Sequence, residues 1–411
     1  MPTRILAFQP WDAGSHRSMR HSIERHGSLQ WSFRTMPGRG PRWRLRHSGL
    51  LFAANERTRG EGAGDGADDA DVVFATSMLA LADLRAALPT QLRSKPHVLY
   101  MHENQAAYPV SDRVEPQARD RDSHLAFTNL ASIEAADRVL WNSAWNRDSF
   151  INGMSVLLSH APERQTDPWQ DRLLRKSVIA PPPIESPTDL PAGIDEPTAS
   201  DPRGQNRPAE DPAILHNTDL EGYPDAVRVV WPHRWEHDKG CDEFLAIARE
   251  ARNRESQGGP RIHWIILGQC FGQVPAAMTA LLTEHRDRIE HAGHLPEPAY
   301  RAMLVRADWV LSTAQHEFFG MAVAEALLAG CLPWLPNRLS YPELVPPECL
   351  GIDPWKMASK SRRTPQGETV SFEEIRASIQ RQLEPAIAAN AVRRIEREID
   401  LAVHAEVDAS G

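Results

Sequence analysis

The chain has 411 residues, of which 41% are hydrophobic and 25% charged, and it carries a net charge of -9. Such a length exceeds one ordinary core and favours two domains, while the acidic balance excludes global attraction to nucleic acid and leaves only a local patch for that purpose. The four cysteines (Cys241, Cys270, Cys331, Cys349) form no C-x-x-C pair, which reads as small buried hydrophobes in a reducing cytosol rather than a disulfide framework or zinc site.

In chain order, MPTRILAFQP opens as a short apolar strand and lacks the charged and apolar regions of a secretory signal. No run approaches the ~18 apolar residues of a membrane span, so a soluble, cytoplasmic protein is expected. Apolar runs at 5–8, 50–54, 72–76, 97–101, 138–142 and 177–181 read as buried strands, with helical patterns at 78–88, 122–136 and 144–159. Alternating strands and helices predict an α/β parallel sheet covered on both faces. The acidic, glycine-rich stretch 59–71 reads as a surface loop. Segment 184–226 is rich in Pro, Asp, Gly and Ser and reads as a linker or disordered insertion.

Strand runs resume at 227–231, 262–267, 289–293, 307–312 and 331–335. The expected organisation is therefore a first Rossmann-like domain over 1–183, the linker at 184–226, a second Rossmann-like domain over 227–370, and a helical tail over 371–411. Ser371 and Glu374 form a capping-box pattern at the start of that tail, and Pro385 interrupts it. Two open doubly wound sheets imply a cleft, with ligands outside the carboxyl ends of the strands.

The most informative stretch is HEFFGMAVAEALLAG, from His316 to Gly330. Glu317 falls before a helix beginning near Phe319-Gly320, and Glu325 falls inside it, in an otherwise apolar pattern. Eight residues at helical rise span roughly 12 Å, about the reach from the sugar to the ribose of a nucleotide sugar. The helix start between them suits a diphosphate, and Gly320 lets phosphate approach the backbone. In PHRWEHDKG (232–240), Arg234 and Lys239 share one strand-to-helix loop. Two cations there match the charge that builds on a departing diphosphate. Gly268, Gly293, His294 and Leu295 end strands in the same half and are candidate contacts to the nucleotide base.

The first half offers a polar set. Gly14 and Ser15, in WDAGSH (11–16), form a tight turn suited to phosphate or sugar, with His16 beside them. HENQ (102–105) follows a strand and brings His102, Asn104 and Gln105 to its carboxyl end; His102 is suited to bond sugar hydroxyls or handle the acceptor's proton. Asn142 and Ser143 end the next strand. FRTMPGRGPRWRLRHSG (33–49) holds Arg34, Arg39, Arg42, Arg44 and Arg46 with no acid, interleaved with Trp43. Arginines neutralise phosphates and aromatic faces stack on unpaired bases, so this segment, read as a loop, is a candidate nucleic-acid contact, and tRNA is the partner that the resemblance described next implies.

The Glu-x7-Glu spacing with Phe-Gly after the first Glu resembles the signature of GT-B glycosyltransferases of the family 4 type. HENQ followed by Tyr-Pro, WPHRWEHDK, and PNRLSYPEL at 336–344 resemble a narrower branch, the tRNA-queuosine mannosyltransferases. The resemblance implies a GT-B fold and transfer of a hexose, mannose from GDP-mannose, onto queuosine in the anticodon of tRNA-Asp, with retention. It implies catalytic roles for His102, Arg234, Lys239 and Glu317, with Glu325 on the ribose hydroxyls and the backbone of Phe319, Gly320 and Met321 on the donor. Acceptor contacts would come from His16, Asn104, Gln105, Asn142 and Ser143. No catalytic metal or cofactor is expected: the two D-x-D patterns, at 69–71 and 120–122, follow no strand. Other readings stay open, namely a GT-B transferase with a lipid, glycoside or protein acceptor, a different GT-B chemistry, or an RNA-binding protein with a vestigial sugar site.

Overall fold

Short runs of β-branched and aromatic residues, apolar on both faces, form the strands of two parallel sheets. The structure, a computed structural model, describes residues 2–59, 69–108, 116–162, 168–186, 215–217, 220, 223, 225–270, 272–351, 361–363 and 369–409. Most of segment 184–226 and most of the stretch 59–71 lie outside the described residues. The chain forms two compact units, one of residues 1–184 with 385–411 and one of 185–384.

The first unit contains strands β1 (Arg4–Asp12), β2 (Gln30–Pro37), β3 (Val72–Thr76), β4 (His97–Met101), β5 (Arg138–Trp141) and β6 (Ser177–Ile179). They lie in the order β2-β1-β3-β4-β5-β6, all parallel. Its helices are α1 (Gly14–His26), α2 (Pro41–Arg59), α3 (Leu81–Ala87), α4 (Thr90–Arg93), α5 (Pro116–Ala135), α6 (Ala144–Ser159) and α7 (Trp169–Arg175). The period-2 alternation of the strands divides the core into two layers. Leu6, Phe8, Val73, Leu99 and Trp141 face one of them, with Phe52 and Phe150. Ile5, Val72, Phe74, Val98 and Tyr100 face the other, with Met19 and Ile23 of α1.

The second unit has strands β7 (Leu215–His216), β8 (Val227–Pro232), β9 (Ile262–Leu267), β10 (Ile289–Gly293), β11 (Trp309–Leu311) and β12 (Leu332–Trp334), in the order β12-β11-β8-β9-β10-β7. All are parallel except β7, which runs antiparallel to β10. Helices α8 (Cys241–Glu255), α9 (Ala276–Glu284), α10 (Glu297–Arg306), α11 (Met321–Leu328) and α12 (Tyr341–Leu344) connect them. A short antiparallel pair, β13 (Ser361–Arg363) and β14 (Thr369–Ser371), precedes α13 (Phe372–Leu383), which begins with the complete Ser371–Glu374 capping box. After Pro385 the last helix, α14 (Ala388–Ala409), belongs to the first unit. Its Val392, Ile395, Ile399 and Ala402 recur at helical spacing and join the layer beneath α1. There Glu396 accepts hydrogen bonds from the Ser28 and Leu29 amides and from Trp31 Nε1 at 2.9–3.0 Å.

Two expectations fail in the first unit. The apolar run 50–54 is not a strand but part of α2: Leu45, Ser48, Gly49, Phe52, Ala53 and Glu56 are buried at helical spacing, while Leu50 and Leu51 face outward. The basic segment 33–49 is likewise no loop. It comprises the end of β2, a short turn and the first half of α2; β2 escaped notice because it is an edge strand, only half buried along most of its length. The four cysteines are buried free thiols. No helix among the described residues is long and apolar enough to cross a membrane.

Candidate active site

In the second sheet β8 is the first of the parallel strands, and it lies between β9 and β11. Chain direction across the sheet therefore switches between β8 and β11, where loops separate and expose backbone. The loop after β8 carries His233 to Lys239, and the loop after β11 carries Ser312 to Gly320. The structure brings them together. Lys239 Nζ donates to the His316 carbonyl at 2.8 Å and approaches Glu317 Oε2 at 3.4 Å and Asp238 Oδ2 at 3.1 Å. Burial alone would raise the Glu317 carboxyl, but the Lys239 ammonium holds it below its ordinary value. Burial likewise opposes charge on Lys239, and Glu317 and Asp238 outweigh it, raising that group. His233, buried and facing the Lys239 charge, is pushed down to about 3 and stays neutral. Arg234 is exposed on the same loop, its guanidinium 3.3 Å from Glu236.

Several supports fix this pair of loops. Thr313 Oγ1 donates to the Lys239 carbonyl and accepts from Trp231 Nε1. From the PNRLSYPEL segment, Arg338 donates to the carbonyls of Thr313 and Ala314, Ser340 Oγ donates to the Phe319 carbonyl, and the Tyr341 hydroxyl lies 2.5 Å from Ser312 Oγ. Gly320 caps α11 with φ +89°, a left-handed conformation that favours glycine. Phe319 is buried, and Met321 begins α11, whose first N–H groups have no intrahelical acceptor. Gly268 (φ +125°) lies so close to the His233 carbonyl that a Cβ would sit 2.1 Å from its oxygen. It thus holds the β9 loop against the β8 loop. Gly293 closes β10, and His294 and Leu295 follow it before α10.

Glu325 occupies the second turn of α11, and Tyr300 of α10 donates its hydroxyl to Glu325 Oε2 at 2.7 Å. Burial raises the Glu325 carboxyl, and the Tyr300 hydrogen bond offsets only part of that. The two glutamates of the Glu-x7-Glu spacing thus sit in opposite electrostatic settings. Tyr300, Asp238 and His233 were not singled out in the sequence. The last two lie inside a recognised string, but nothing local marks a tyrosine 25 positions before its partner.

In the first sheet β1 lies between β2 and β3. Beyond the carboxyl ends of β1, β3 and β4 lie His16, Ser77 and His102 with Glu103. The His16 and His102 rings stack at a centroid distance of 3.8 Å. His16 Nε2 lies 3.2 Å from Glu103 Oε2, and Ser77 Oγ donates to Glu103 Oε1 at 2.8 Å. Burial, then the neighbouring His16, pushes His102 well below its ordinary value, so it is neutral. Ser77 carries no signal in the sequence, and Glu103 stands inside HENQ without a role of its own there. Gly14 and Ser15 occupy the first turn of α1.

The remaining polar residues of this edge are committed internally. Asn104 Nδ2 donates to Asn146 and Ser149, and its Oδ1 accepts from the Ala107 amide. Asn142 Nδ2 donates to the His102 carbonyl, and its Oδ1 accepts from Asn146. Ser143 caps α6 by accepting from the Asn146 amide. The Gln105 amide donates to Asn129. These contacts make Asn104, Asn142 and Ser143 supports of the loop.

The basic segment divides in the same way. Arg34 Nε pairs at 2.9 Å with the buried carboxylate of Glu56, and Arg44 donates to Met36 Sδ and the Pro37 carbonyl at 3.1 Å each. Both therefore serve the fold. Arg39, Arg42 and Arg46 are exposed near Trp43, which is 74% exposed. The D-x-D pattern at 69–71 meets Arg4, through Asp69 at 3.1 Å and Asp71 at 3.4 Å, and so ties down the start of β1. Among the described residues no group of three or more His, Cys, Asp or Glu is arranged to hold a metal ion.

Residues 4–184 match the family model described as tRNA-queuosine alpha-mannosyltransferase N-terminal. The chain is 29% identical over 353 residues to a tRNA-queuosine alpha-mannosyltransferase of Drosophila melanogaster, covering 84% of this chain and 82% of that one. It is 28% identical over 104 residues, a quarter of this chain (25%) and 26% of the relative, to GDP-mannose:cellobiosyl-diphosphopolyprenol alpha-mannosyltransferase of Xanthomonas oryzae. The solved trehalose-6-phosphate synthase OtsA superposes with a TM-score of 0.58 at 11% identity, over 97% of this chain and 99% of that one. That likeness concerns fold alone, and the fold is of the GT-B type. The chain is thus similar to the tRNA-queuosine alpha-mannosyltransferases, through the family model over residues 4–184 and through the Drosophila relative over 84% of its length.

Proposed function

We propose that this protein transfers mannose from GDP-mannose to queuosine in the anticodon of tRNA-Asp, with retention at the sugar. The observation that carries the reading is the pair of buried Lys239 and part-buried Glu317 at the switch point of the second sheet, in a chain whose residues 4–184 match the model of this family's N-terminal part. When the glycosidic bond breaks, negative charge develops on the departing diphosphate. Lys239, Arg234 and the first N–H groups of α11 meet that charge, and preorganised donors of this kind lower the barrier because they need no rearrangement. Glu317, ionised beside Lys239, accepts hydrogen bonds from the sugar hydroxyls, and Glu325 accepts them from the ribose. The loops around Gly268 and Gly293 contact the base. No covalent nucleophile is assigned. The acceptor hydroxyl attacks from the face the diphosphate leaves, and the diphosphate takes its proton. His102 bonds sugar hydroxyls as a neutral imidazole. Arg39, Arg42 and Arg46 neutralise tRNA phosphates while Trp43 stacks on an unpaired base.

The test is direct. Purified protein is incubated with GDP-mannose and queuosine-containing tRNA-Asp, and the digested nucleosides are weighed by mass spectrometry. A queuosine heavier by one hexose residue, with GDP released, is the expected product. Absence of that product, with donor binding intact and queuosine verified, would reject the acceptor and leave the donor chemistry.

A further inference from the structure

The histidine pair of the first sheet is more elaborately built than a packed core requires. His16 is 3% exposed and His102 is 5% exposed, yet His16 Nδ1 and His102 Nε2 have no hydrogen-bond partner. Buried polar atoms are satisfied in the great majority of cases, so two imidazole nitrogens without partners, on stacked rings, point to a ligand that supplies them. The groups that hold them in place are paired. The His102 amide donates to Ser77 Oγ at 3.2 Å, Ser77 donates to Glu103, and Asn142 holds the His102 carbonyl at 2.7 Å. Three strand ends therefore converge on one arrangement: β1 through His16, β3 through Ser77 and β4 through His102 and Glu103.

We infer that Glu103, held by Ser77, is a positioning residue that fixes His16 in the tautomer whose Nδ1 accepts a hydrogen bond from a hydroxyl of the acceptor ring. A carboxylate offers only acceptor oxygens, so the nitrogen facing Glu103 Oε2 must carry the proton. That nitrogen is Nε2. In the neutral ring the lone pair then lies on Nδ1, and a buried lone pair without a partner selects a hydroxyl over an apolar group or an ether, neither of which can donate. A ring bearing neighbouring hydroxyls, such as a cyclopentene diol, presents the donor this site lacks. The inference rests on the acceptor chemistry proposed above, but the tautomer itself does not.

The deciding experiment uses the full chain labelled with ¹⁵N-histidine, comparing the parent protein with Glu103→Gln and Ser77→Ala. At a pH alkaline enough for a neutral ring, the His16 resonances of the parent should report the Nε2–H form. In Glu103→Gln that form should lose its dominance, because an amide facing Nε2 can donate as well as accept. Kinetically, Glu103→Gln should raise the KM for tRNA by about tenfold, the scale of one net hydrogen bond, with the KM for the nucleotide sugar and the thermal midpoint unchanged. Ser77→Ala should move the same quantities in the same direction by less. An Nδ1–H tautomer in the parent, or a Glu103→Gln protein with unaltered tautomer and tRNA KM, would overturn the inference. Should the parent fail to modify tRNA while showing the Nε2–H form, the proposed acceptor falls and the positioning role of Glu103 stands.

Discussion

The two sheets place their polar residues at the same topological point and equip it differently. Beyond β8 and β11 the loops gather full charges: Lys239 lies against Asp238 and Glu317, with Arg234 on the same loop. Beyond β1, β3 and β4 the loops gather stacked imidazoles, one hydroxyl and one carboxylate. The difference matches two tasks. A departing diphosphate needs fixed positive charge in a site partly shielded from water, where each unit of charge counts for more. An incoming hydroxyl needs directional hydrogen bonds and little net charge.

The comparison is broken most forcefully at Lys239. Lys239→Met should lower kcat by about 10²–10³, the usual cost of removing one preorganised charge donor. It should also destabilise the second unit, because Asp238 and Glu317 would lose the cation that compensates them, at a cost of about 3–5 kcal/mol. Steady-state kinetics and thermal unfolding measure the two effects separately. Unchanged kcat in a folded variant would remove Lys239 from the chemistry.

The basic segment sharpens the comparison from the acceptor side. Trp43→Ala should weaken tRNA binding by about 1–3 kcal/mol, the range for one stacked base, with no change in thermal midpoint. Arg34→Ala should do the reverse. It takes from the buried Glu56 carboxylate its partner at 2.9 Å and leaves only Arg59 at 3.7 Å, so unfolding should shift while the salt dependence of tRNA binding stays as it was. Equal effects of the two substitutions on tRNA affinity would contradict the division of this segment into contact and support.

Acidification separates the two glutamates. Glu325 is raised above its ordinary 4.5, so it protonates first as pH falls. Glu317 is lowered from the same value, and its contribution to stability is present above 4.5 and is lost only as pH falls through its depressed folded value. Lys239 is raised from 10.5, so its contribution is present below that value. Titration calorimetry with GDP should therefore show affinity declining on the acid side before the fold does. Tyr300→Phe should raise the donor KM severalfold, since one hydrogen bond of about 1 kcal/mol is lost. It should also move that decline to higher pH, because the Tyr300 bond is what counters burial at Glu325. Coincident loss of binding and fold would refute the separation.

Much of this was legible in the sequence where chemistry and periodicity coincide. Glu325 stands out because a carboxylate interrupts an apolar helix pattern, Glu317 stands out by its spacing from Glu325, and the strands at 262–267 and 289–293 emerge from continuous apolar runs. The second strand did not, because an edge strand needs only half its residues apolar, and Trp31 and Phe33 sit among Ser, Arg and Thr. Leu50 and Leu51 misled for the opposite reason, as outward-facing leucines completing an apolar run within a helix. Arg34 and Arg44 resemble their neighbours in sequence and differ only in what the fold puts beside them, a buried Glu56 and the Pro37 carbonyl. Tyr300 and Ser77 are partners across elements, and no local spacing encodes such contacts.

The division of labour between the two strand-end clusters is tested most directly by Glu325→Gln, measured in parallel for GDP affinity by calorimetry and for queuosine-tRNA affinity by fluorescence anisotropy. Weaker GDP binding with unchanged tRNA binding is the predicted result. Equal loss of both, in a protein whose thermal midpoint is preserved, would contradict the assignment of donor and acceptor to separate units.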